Sequence, residues 1–87
     1  MRSYLVVFKS ENKKQIIKYI TSFLGYAKIK EDVWIVQTNL GHKKLRDNFI
    51  SFLKEGEDLL FAIDVTGAAW AATNLPHDVP SWLKEFL

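Results

Sequence analysis

The stretch Tyr26-Ala27-Lys28-Ile29-Lys30-Glu31-Asp32-Val33-Trp34-Ile35-Val36-Gln37-Thr38 decides the fold. Tyr26 to Lys30 reads as a short strand, Glu31-Asp32 as a tight connection, and Val33 to Thr38 as the returning strand. Side chains alternate across a strand, so Val33 and Ile35 share one face while Trp34 and Val36 share the other. Both faces are apolar. The hairpin therefore belongs in a sheet covered on two sides.

Upstream lies a helix. Asn12 is a candidate N-cap with Gln15 three residues on, a capping-box spacing with Asn in place of Ser or Thr. Ile16, Ile17, Ile20, Phe23 and Leu24 recur at helical spacing, and Gly25 stands where a left-handed residue would end the helix. Before it, Tyr4, Val6 and Phe8 alternate with Leu5 and Val7 as a first strand, again apolar on both faces. Downstream, Asn39-Leu40-Gly41 leads into a second helix from about His42 to Lys54, with Leu45, Phe49, Phe52 and Leu53 as its buried stripe and Gly56 beyond its end. Leu59 to Val65 forms the last core strand, closed by Thr66-Gly67.

Strand, helix, strand, strand, helix, strand is the split βαβ order of an α+β, ferredoxin-like βαββαβ fold. Right-handed crossovers place both helices on one face of a four-stranded antiparallel sheet. The second face then needs a cover, because a contiguous apolar patch beyond a few hundred Å2 is rare on a monomer. Leu5, Val7, Trp34, Val36 and Leu60, with Trp70 and Trp82 from the tail, are the candidate contacts of a homodimer. The other candidate cover is the C-terminal extension, residues 68–87. There Trp70 sits among alanines, and Asp78 to Leu87 reads as a short helix with Asp78 as cap and Pro80 in its first turn. Phe8, Trp34, Phe61 and Trp70 have the spacing of core residues.

Residues 1–87 make a single domain, since that length leaves no room for a second. The chain has no cysteine, which excludes disulfides and thiolate metal sites and favours an intracellular, cytoplasmic protein. No apolar run approaches the ~20 residues of a membrane span. Net charge is only +2, but residues 1–46 carry ten Lys/Arg against three acids, and residues 47–87 carry two against seven. Lys13, Lys14, Lys18, Lys43, Lys44 and Arg46 could track nucleic-acid phosphates without reading sequence. No aromatic residues interleave with them for base stacking.

From Ala27 to Thr38 the sequence resembles the second and third strands of the SinR family. These small bacterial proteins are relatives of the CRISPR-associated adaptation subunit (the "Cas two" superfamily). Leu45-Arg46-Asp47, Asp58-Leu59-Leu60-Phe61, Gly67-Ala68-Ala69-Trp70 and Trp82-Leu83-Lys84 continue the resemblance in order. It implies a ferredoxin-like homodimer in a phage-defence or toxin–antitoxin setting. It also raises a metal-dependent phosphodiesterase as the alternative, with Mg2+ or Mn2+ held by an aspartate at the end of the first strand. This chain has Val6-Val7-Phe8-Lys9-Ser10-Glu11 there, and an ammonium repels a cation that needs anionic oxygens. The expectation is a protein without catalysis and without a cofactor. Only Glu11 and Asp64 remain as a weak acidic pair. Asp64 interrupts an apolar strand and is expected to bond Thr66 or Gly67 in a turn. His42 and His77 have no zinc spacing and read as a solvated helix-start residue and a loop residue.

Overall fold

A computed structural model describes residues 1–87. The elements are β1 (Arg2–Lys9), α1 (Lys13–Ile20), β2 (Gly25–Lys30), β3 (Val33–Thr38), α2 (His42–Ile50), β4 (Leu59–Asp64) and α3 (Val79–Phe86). The sheet order is β2-β3-β1-β4 with every pairing antiparallel. This is the ferredoxin-like α+β arrangement, with a third helix added at the C-terminus.

The register shows why the strands are apolar on both sides. Val6 lies between Trp34 on β3 and Ala62 on β4, and Leu5 lies between Ile35 and Ile63. Tyr4, Val6, Phe8, Trp34 and Val36 point toward the helices and pack with Ile16, Ile20, Leu45 and Phe49. Tyr4 carries a polar group into this core, and its hydroxyl donates to the Leu40 carbonyl at 2.9 Å. Burial and the neighbouring Asp64 charge raise its pKa, which keeps the phenol neutral. Tyr19 joins the helix layer together, with edge-on contacts to Phe23 and Phe49 at centroid distances of 5.0 Å.

Two helix boundaries differ from the sequence expectation. α1 stops at Ile20, so Leu24 lies outside it and is 84% exposed. Gly25 opens β2 in place of capping a helix. Its lack of a side chain matters because a Cβ there would lie 3.0 Å from the Gln37 side-chain oxygen. The capping box does not form: Asn12 makes no side-chain cap bond and donates from Nδ2 to the Phe52 carbonyl at 3.1 Å. α2 ends at Ile50, and Phe52 and Leu53 pack on the core from the turns that follow. Gly56 and Gly67 adopt positive φ, 78° and 71°, where a residue with a side chain is strained.

On the helix-free face, α3 packs Val79 and Leu83 against Ala27 and Ile35, with Leu5, Ile29 and Trp82 around them. Asp78 precedes the helix and Pro80 lies in its first turn, although Asp78 makes no side-chain cap bond. α3 contacts β2 and shares its cluster with β3 and β1. None of the β4 residues belongs to that cluster.

Candidate interaction surface

Half of the second sheet face is therefore covered and half is bare. Leu59, Phe61 and Ile63 alternate along β4 on the side away from the helices, and they are 51%, 55% and 45% exposed. Val7 is paired with Phe61 and is half-buried beside them. These three side chains form a contiguous apolar row on that face.

The sheet's two edges are built differently. β2 carries Lys28 and Lys30 and has a register irregularity between them, both devices that discourage further strand pairing. β4 has no charged residue before Asp64, no proline and no irregularity in its pairing with β1. Its main-chain groups make no hydrogen bond beyond the β1 ladder.

The expected dimer contacts divide between the two faces. Leu5 and Val7 lie on the helix-free face, with Leu5 already packed against the α3 cluster. Trp34 and Val36 are buried under the helices, and Leu60 packs there too, so these three side chains are core. Ile35 on β3 and Leu59, Phe61 and Ile63 on β4 occupy the helix-free face in their place. Alternation alone cannot tell which of two apolar faces receives the helices. Trp82 packs on its own sheet beside α3's buried residues. Trp70 is 37% exposed, and with Phe61 it departs from the expected core position.

Lys13, Lys14, Lys18, Lys43, Lys44 and Arg46 all lie exposed on the helix layer. Because α1 and α2 run antiparallel, Lys13 and Lys14 stand at one end of that layer. Lys18, in the last turn of α1, lies toward the other end with Lys43 and Lys44. None of these five lysines forms an ion pair, whereas Arg46 is held by Asp47 at 3.0 Å. Neither helix has an acid in its first turn. Cations there oppose the helix dipole, so helix stability does not explain them. His42 and His77 are both exposed.

The acidic pair is not brought together. Glu11 follows the end of β1, whereas Asp64 pairs with Tyr4 near its beginning. Seven residues of extended chain separate those levels, roughly 20 Å. Asp64 accepts from the Thr66 hydroxyl at 2.6 Å, the Thr66 N–H at 3.0 Å and Arg2 at 2.5 Å. The Thr66 bonds, then Arg2, hold its pKa down to about 2. This is the strand-end turn role expected from the sequence.

Near Glu11, an open cleft of about 920 Å3 is lined by Lys9, Asn12, Lys13, Asp32 and Lys54 among others. Within it the buried Ser10 hydroxyl donates to Asp58 at 2.6 Å and accepts from the Asn12 N–H at 2.9 Å. The Lys54 N–H also reaches Asp58, at 2.8 Å. The Ser10 bond, followed by the Lys54 N–H, lowers the Asp58 pKa. This network ties the end of β1 to the turn before β4. No group of three or more His, Asp or Glu side chains is placed to hold a metal ion. At the end of β1, where the alternative reading needs an anionic oxygen, the chain places the Lys9 ammonium.

No helix is long and apolar enough to cross a membrane. No protein-family profile matches the sequence, and neither a curated protein nor a solved structure matches it.

Proposed function

We propose that this chain is a homodimeric interaction module without catalysis of its own. The single observation that carries this reading is the bare row Leu59, Phe61 and Ile63 on an edge strand that nothing caps. Sedimentation equilibrium across micromolar to submillimolar concentrations tests it. A concentration-dependent dimer is expected, and one copy throughout would overturn the reading. The resemblance to the SinR family supports a role in phage defence or a toxin–antitoxin pair.

A second property belongs to the same proposal. Five unpaired lysines on the helix layer favour sequence-independent contact with nucleic-acid phosphates. Duplex DNA titrated at two salt concentrations should bind at the lower and release at the higher. Absence of binding at low salt removes this part. The same duplex incubated with Mg2+ or Mn2+ should remain intact, because Lys9 stands at the end of β1 where a divalent cation would need an anionic oxygen.

A further inference from the structure

Resting on the dimer reading above, we infer that two copies join edge to edge through β4, in an antiparallel pairing centred on Phe61, to make one continuous eight-stranded sheet. The direction of the main-chain groups is fixed by two bonds at the borders of the β1 ladders. The Val65 N–H donates to the Ser3 carbonyl at 2.8 Å, on the β4 side of β1, and the Phe8 N–H donates to the Asp32 carbonyl at 3.1 Å, on the β3 side. Alternation then turns the main chain of Leu59, Phe61 and Ile63 toward β1 and that of Leu60 and Ala62 outward. The outward groups are the ones a second strand would bond.

The occupant is a second copy because the strand complements itself. With the two-fold axis at Phe61, Leu60 of each copy exchanges both main-chain bonds with Ala62 of the other. Phe61 faces Phe61 at the closely spaced, non-bonded position, and Leu59 faces Ile63 on either side. All three bare side chains meet apolar partners. Shifting two residues one way sets Leu60 against the Asp64 carboxylate, and two the other way sets Ile63 against Glu57. In the centred register Asp64 meets Asp58 at both ends, where the pairing stops. Arg2 compensates the first, and Ser10 and the Lys54 N–H hold the second.

The area decides the strength. The three side chains offer on the order of 300 Å2 of apolar surface per copy. With the main chain around them, the pairing covers roughly 600–1,000 Å2 in total, the low end for a specific interface. The dimer is accordingly reversible.

Amide hydrogen exchange on the unaltered protein, followed by NMR at several concentrations, is the test. The Leu60 and Ala62 amides should slow at least tenfold as the dimer forms. Because the chain has no cysteine, Phe61→Cys and Ile63→Cys variants complement this measurement. Phe61→Cys should oxidise to a linked dimer. Ile63→Cys should not, since its counterpart lies four residues away along the ladder. A dimer whose Leu60 and Ala62 amides exchange freely would overturn edge pairing and leave the dimer reading intact. Protected amides with Ile63→Cys linking as readily as Phe61→Cys would overturn the register. A chain that stays single at submillimolar concentration would overturn both.

Discussion

At the scale of single residues, Asp64 and Ser10 show how polar groups are placed at the two ends of β1. Asp64 is ionised far below ordinary carboxylates because Thr66 and Arg2 bond its charged form, with a pKa of about 2 against 3.8. Its folded-state pKa is depressed, so its contribution is fully present above about pH 4 and is lost as pH falls toward 2. Asp64→Asn should therefore lower stability at pH 6 and flatten the fall in stability between pH 4 and 2, read by urea unfolding at each pH. An unchanged acid slope would remove Asp64 from the account. Ser10 is buried and engaged on both sides, by Asp58 and by the Asn12 N–H. Ser10→Ala leaves that N–H without its acceptor, and the expected loss is about 1–2 kcal/mol in chemical denaturation. The role of Asp64 was legible in the sequence, because a lone acid ending an apolar strand beside Thr66-Gly67 has few alternatives. The Ser10–Asp58 pair was not, since 48 residues separate partners that only the β1–β4 pairing brings together.

At the scale of elements, periodicity gave the strands and the existence of each helix, but helix ends escaped it. Phe23, Phe52 and Leu53 are apolar at helical spacing, yet they follow the helices in turns and pack on the core from there, while Leu24 points into water. The face assignment failed for a different reason. Trp34 and Val33 are both acceptable core residues, and only the packing of α1 and α2 chooses between them. α3 covers the side left over, and its hold rests on Val79 and Leu83, each 4% exposed. Leu83→Ala should cost about 2–5 kcal/mol, a cavity penalty that thermal or urea unfolding would register. A loss below 1 kcal/mol would mean that α3 rests only loosely on the sheet. Ile63→Lys addresses the other half of the same face. Its side chain already stands 45% in water, so the monomer should fold with nearly unchanged stability while dimerisation weakens at least tenfold in sedimentation.

At the scale of the whole molecule, the antiparallel helices spread the cations instead of concentrating them. α1 is eight residues long, about 12 Å, and Lys18 lies one turn, about 6 Å, beyond Lys14, so the cations run along the helix layer from Lys13 and Lys14 through Lys18 to Lys43 and Lys44. The sequence showed a +7 half and a −5 half, but it could not show that six of the cations are spread along the helix layer. This spread sets the expected salt dependence of duplex binding. Engagement of the Lys18, Lys43 and Lys44 end alone makes about three phosphate contacts, a slope of about −3 in log K against log salt per copy. Six contacts, with all the cations and Arg46 at once, would give about −5. Lys43→Glu with Lys44→Glu should then bring the slope near −1 and weaken binding most at low salt. A slope that does not change in this double variant would place the phosphates at the Lys13 and Lys14 end instead.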